Sequence, residues 1–186
     1  MLGRDHPDLA ATLNNLARTV LDQRRFAEAA GLLERAIAIN ERQGRAGHDD
    51  MAFLYSNLAT ARRHLGSGRE AEALYQRALE TARAHEHRTL GPILADLADL
   101  RCRSGRTRLG MDLLAEAAEA SSRDYPDDAW RSAWVENVRG ECLVRAGRST
   151  DGRAAISGSS PVILRRWPRN TLYGAEAGRR LQLASN

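Results

Sequence analysis

The sequence predicts an all-α chain, a row of about four helix-turn-helix hairpins closed by a C-terminal helix. Three observations predict it. Ala and Leu supply 31 and 24 of the 186 residues, whereas Val and Ile together supply only 10. β-branched residues lose side-chain freedom in helices and favour strands, so this balance argues against a sheet-based enzyme. Small residues recur at a period near 42. Short turn sequences, most of them carrying Gly, fall where each hairpin must reverse.

The repeat is read by laying the chain over itself. Thr12-Leu13-Asn14-Asn15-Leu16-Ala17 aligns with Leu54-Tyr55-Ser56-Asn57-Leu58-Ala59, then Leu94-Ala95-Asp96-Leu97-Ala98, and more loosely Asn137-Val138-Arg139-Gly140. Ala17, Ala59, Ala98 and Gly140 stand 42, 39 and 42 residues apart. Ala29, Ala71, Gly110 and Gly152 keep the same steps, as do Ala36, Ala78, Ala117 and Ser159. Two antiparallel helices that pack closely need small side chains where they cross. Leu16, Leu58 and Leu97, then Leu33, Tyr75, Leu114 and Ile156, lie at helical spacing to fill the space around those crossings.

The elements follow in order. The repeat domain spans 3–167 in units of about 5–44, 47–86, 89–123 and 126–167, and 168–186 forms a capping helix and tail. Hairpin turns fall at Gln23-Arg24-Arg25, Gly66-Ser67-Gly68, Gly105-Arg106 and Gly147-Arg148. In the third unit Thr89 caps the first helix and Pro92 sits in its first turn, where no backbone donor is needed. In the fourth, Arg139 replaces the usual Leu, so Trp134, Val135, Val138 and Leu143 are expected to fill the core. Gly152, Gly158 and Pro161 predict a kinked or partly melted second helix there. Thr171 to Ala184 reads as the closing helix.

Composition bounds the function. The 28 basic residues are all Arg and are interspersed with 24 acids, leaving a net charge of +4, which does not mark a nucleic-acid protein. No apolar run approaches a membrane span, so the expectation is a cytoplasmic protein. Cys102 and Cys142, 40 residues apart with no second pair, exclude a CxxC centre and are expected as buried structural thiols. Gly66-Ser67-Gly68 is a turn, since no strand precedes it as a dinucleotide site requires. His85-Glu86-His87 lacks the spacing of a helical zinc pair. Trp130, Trp134 and Trp167 are expected in the core. No serine is framed as a nucleophile, so neither a catalytic site nor a cofactor is expected.

In its wording, this sequence resembles the tetratricopeptide repeat of the kinesin-light-chain-like type. Gly3-Arg4-Asp5-His6-Pro7-Asp8, Asn14-Asn15-Leu16-Ala17, Arg25-Phe26-Ala27-Glu28-Ala29 and Leu32 to Ile39 carry the resemblance in the first unit. Glu70 to Leu79 carries it in the second; the third and fourth keep the skeleton without the wording. The resemblance implies a right-handed superhelical solenoid whose first helices line a concave, peptide-binding face. It also implies a non-enzymatic adaptor with a protein or peptide partner.

Carried over, the family's asparagine ladder matches Asn15 and Asn57 and breaks at Asp96 and Val138. The same face holds Asn14 and Arg18, then Ser56, Arg63 and His64, then Asp99 and Arg103, and finally Asn137, Glu141 and Arg145. Each Arg is suited to a bidentate carboxylate contact worth about 1.5 to 3 kcal/mol, and Asp22, Asp96, Asp99 and Glu141 are placed to neutralise them internally. A chaperone-type carboxylate clamp is not intact, because Pro92 and Asp96 stand where it needs Lys and Arg. Two other readings compete: an Arg-rich RNA-binding repeat, and the regulatory C-terminal piece of a larger signalling protein. The apolar outer face of the first helix suggests a homodimer.

Overall fold

A computed structural model describes residues 7–85 and 88–185; the motif residues 3–6, together with Glu86 and His87, lie outside that range. The described residues form nine helices and no strand. The chain divides into two compact halves, Met1–Thr89 and Leu90–Asn186.

The N-terminal half holds α1 (Pro7–Asp22), α2 (Phe26–Arg42), α3 (Asp50–His64) and α4 (Gly68–Ala84). Helices α1 and α2 form one hairpin, α3 and α4 a second, and α3 packs on α2. In the C-terminal half α5 (Leu90–Arg103) pairs with α6 (Thr107–Asp124), and α7 (Ala129–Arg145) with α8 (Ser149–Arg166). Helix α9 (Leu172–Ser185) packs on α8 and touches α7.

All twelve small positions of the repeat are buried. The reason is sharpest between α7 and α8. A Cβ added to Gly140 would lie 2.8 Å from the Gly152 carbonyl oxygen, and one added to Gly152 would lie 2.6 Å from the Gly140 carbonyl. The two backbones touch, so even Ala is excluded. Leu33, Tyr75, Leu114 and Ile156 fill the adjoining space and are fully or almost fully buried, each stabilising by about 1.5 to 3 kcal/mol.

The four hairpin turns share one geometry. Each has a residue with positive φ, Arg24 (61°), Gly66 (87°), Gly105 (83°) and Gly147 (82°), where a glycine best ends a helix. The residue after it, Arg25, Ser67, Arg106 or Arg148, donates its amide to the carbonyl five positions back at 2.9 to 3.0 Å. Only the first turn makes an L side chain adopt that conformation.

The structure corrects four expectations. Leu16 is 49 % exposed, because no described element covers the outer side of α1. Helix α8 runs unbroken from Ser149 to Arg166: Pro161 and Ser157, whose carbonyl loses its donor, both face solvent, and Gly152 is demanded by the crossing. Trp134 is core, whereas Trp130 and Trp167 are only half-buried and ring Tyr173 at 5.3 and 5.6 Å. Cys102 and Cys142 are not free thiols; they form a disulfide that ties α5 to α7. Trp134, Val135, Val138 and Leu143 do fill the core beside Arg139, which lies against Glu136 on the helix surface.

Candidate functional site

The site residues belong to two faces of first helices, one in each half. On the α1–α3 face Asn57 donates its amide to the Asn14 side-chain oxygen at 2.9 Å, so neighbouring helices are joined by one neutral hydrogen bond. Asn15 and Arg18, about one turn of helix apart, are exposed, and Ser56 is half-buried. The side chains of Asn15, Arg18 and Ser56 make no hydrogen bond among the described residues. Burial pushes the Asp22 carboxyl up, and the Arg18 charge four residues away opposes that rise. Arg63 reaches the His64 Nε2 at 3.0 Å, and the His64 ring stacks on Phe26 with centroids 4.2 Å apart.

The α5–α7 face is built differently. Arg180 of α9 is completely buried there, and every part of its guanidinium is read. Its Nε donates to Glu141 at 2.8 Å, Nη1 to the Asn137 side-chain oxygen at 3.2 Å and Nη2 to Asp99 at 2.7 Å, while its plane lies 4.7 Å from the Trp134 ring. Asn137 is itself fixed, donating to Ser159 and Ser160 at 3.0 and 2.8 Å. Trp134 donates its indole N–H to Asp96 at 3.3 Å.

Further arginines surround this centre. Arg103 donates to Asp99 at 3.1 Å and to Glu176, and Arg145 donates to Glu141 at 3.0 Å. Arg179 joins Glu141 to Glu176. Burial alone would raise the Glu141 carboxyl; Arg180, with help from Arg179 and Arg103, outweighs both burial and the neighbouring Asp99 and holds it below its ordinary value. Burial would in turn lower Arg180, but Asp99, Glu141 and Glu176 keep it firmly charged.

Asp99, Arg103, Glu141, Arg145 and Asn137 are thus brought together, Asp96 adjoins them, and α9 completes the cluster. Glu176, Arg179 and Arg180 were not singled out from the sequence. A signal for them exists: an acid followed four residues later by Arg recurs at Asp99/Arg103, Glu141/Arg145 and Glu176/Arg180. In the first repeat the order is inverted, Arg18 then Asp22.

A family model described as the tetratricopeptide repeat matches residues 2–42, and a second of the same description matches residues 54–86. The chain carries tetratricopeptide repeats in its N-terminal half. Its fold is that of kinesin-light-chain-like repeats. It is similar to a crystal structure of the nearly identical TPR-like repeats assigned to a kinesin light chain of Podosopora anserina, at 17 % identity and a TM-score of 0.69. That match covers 96 % of this chain and 86 % of the other. A second crystal structure of such repeats from the same organism aligns with a TM-score of 0.68, at the same identity and coverage. No curated protein matches the chain. Both tetratricopeptide repeat matches lie in the N-terminal half, whereas the Arg180 cluster lies wholly in the C-terminal half.

Proposed function

We propose that the protein is a non-catalytic adaptor that captures a peptide segment of a partner on the α1–α3 face. One observation carries the reading: Asn15, Arg18 and Ser56 present side-chain polar groups that no described residue hydrogen-bonds, beside the Asn14–Asn57 pair. An amide suits both the N–H and the C=O of an extended backbone, and Arg18 with Arg63 favours a ligand bearing a carboxylate. Tetratricopeptide repeats serve generally as interaction scaffolds, which supports the reading.

The test is selection of displayed random peptides on the full chain, followed by titration of the enriched peptides. Replacing Asn15, Arg18 and Asn57 together by Ala is expected to weaken binding at least tenfold with far-ultraviolet circular dichroism unchanged. Undiminished binding by that variant would overturn the placement.

A second observation bears on compartment. Among the described residues no helix is long and apolar enough to cross a membrane. The Cys102–Cys142 bond favours an oxidising compartment over the cytoplasm. Thiol labelling in intact cells decides the point: unlabelled cysteines support the oxidising setting, and labelled ones return the protein to the cytoplasm.

A further inference from the structure

We propose that the α5–α7 face is a guanidinium-binding site, that α9 is its tethered occupant, and that an arginine-bearing helical segment of a partner displaces α9 from it. This is a second site, of opposite charge preference to the α1–α3 face and independent of it.

The pocket is specific for a guanidinium in the way a ligand site is. Its floor offers two carboxylates, Asp99 and Glu141, a fixed amide oxygen on Asn137 and the face of Trp134, all converging on the planar group of Arg180. Lysine has one compact charge and cannot meet three separate acceptors in that plane. The acceptors are positioned by the fold and not by Arg180: Asn137 is anchored by Ser159 and Ser160, and the disulfide joins the residues next to Arg103 and Glu141.

The occupant is weakly held for a buried helix. Of its six buried residues, Leu172, Gly174, Glu176, Ala177, Gly178 and Arg180, only Leu172 and Ala177 are apolar beyond glycine. Buried ion pairs contribute little net stability against hydrophobic packing of the same volume, because desolvation offsets the attraction. Gly174 and Gly178 each weaken the helix relative to Ala, because glycine loses more backbone freedom on folding. Gly174 is not replaceable, since a Cβ there would strike the carbonyl oxygens of Trp167 and Pro168, whereas one at Gly178 would meet only the movable end of the exposed Arg169 side chain at 2.6 Å. The first turn of α9 is the firm part, with Tyr173 4.8 Å from Trp134 and 5.3 Å from Trp130. Release therefore frees residues 175–185 and leaves the helix tethered at Tyr173.

The experiment is hydrogen exchange of the intact, oxidised chain, read by mass spectrometry. The probe is a synthetic peptide with the sequence of residues 172–186, and the control carries Arg179→Gln and Arg180→Gln. In the free chain, residues 175–185 are expected to exchange at least a hundredfold faster than the centres of α5 and α7. Saturating probe is expected to raise that rate threefold or more while the control leaves it unchanged. Exchange of 175–185 as slow as that of α5 and α7, no response to the probe, or an equal response to the control would each overturn the proposal. These readouts lie in the C-terminal half, so failure of the α1–α3 reading leaves them unaffected.

Discussion

The two halves of this chain use one backbone plan for opposite electrostatic ends. On the α1–α3 face the helices meet through a neutral amide bond, and Asn15 and Arg18 stay in solvent. On the α5–α7 face Asp99 and Glu141, in register with Arg18, are ionised, buried and satisfied from within the chain. A small-residue skeleton fixes how helices cross but leaves the exposed side of each first helix free to vary. That side is where one fold acquires different ligands.

The largest expected contrast comes from Arg180→Ala, which takes from the buried Asp99 and Glu141 the one fully buried cation they share and leaves them only the partly exposed Arg103, Arg145 and Arg179. The expected loss is about 3 to 5 kcal/mol in urea unfolding. Asn57→Ala removes a half-exposed neutral bond and should cost no more than about 1 kcal/mol. Similar losses for the two variants would erase the distinction between the halves.

Reduction of Cys102–Cys142 comes next. Opening a loop of 40 residues removes a denatured-state constraint worth up to about 4 kcal/mol. A C-terminal half that melts earlier in reductant, with the α1–α4 half unmoved, is expected from calorimetry.

Acid should separate the halves in a known direction. The Glu141 carboxyl is held below its ordinary 4.5 in the folded protein, so its contribution is complete above that value and fades as pH falls through the lowered one. The urea midpoint of the wild type should therefore drop below pH 4.5 more steeply than that of Glu141→Gln. Parallel profiles would show that the pairing carries no stability.

The smallest effect belongs to the first turn. Arg24 is exposed and occupies a positive-φ position that is glycine in the other three hairpins, so Arg24→Gly should stabilise by about 1 kcal/mol. A loss of stability would mean that the Arg24 side chain contributes something its exposure does not reveal.

What was legible in the sequence is what the backbone demands locally. Ala17, Gly110 and Gly152 are small because a neighbouring helix is close, and Gly66, Gly105 and Gly147 mark a conformation that other residues resist. Leu16 was misjudged because its burial depends on a neighbour outside its own hairpin. The Arg180 cluster was half visible: Asp99, Arg103, Glu141 and Arg145 were placed on one face, but their partner lies 81 residues from Asp99. The disulfide escaped because Cys102 and Cys142 stand four and two residues past their respective small positions, Ala98 and Gly140. Repeat alignment alone does not pair them.

The acid-then-arginine spacing on α5, α7 and α9 makes each of these helices its own counterion carrier. Glu141 on α7 receives arginines from α5 and from α9. A hairpin copied into this row by gene duplication would bring both signs with it, at matching height. The array would grow by a unit without stranding a charge at either seam, so lengthening this half is electrostatically neutral in a way that lengthening the other, with its reversed Arg18 and Asp22, is not.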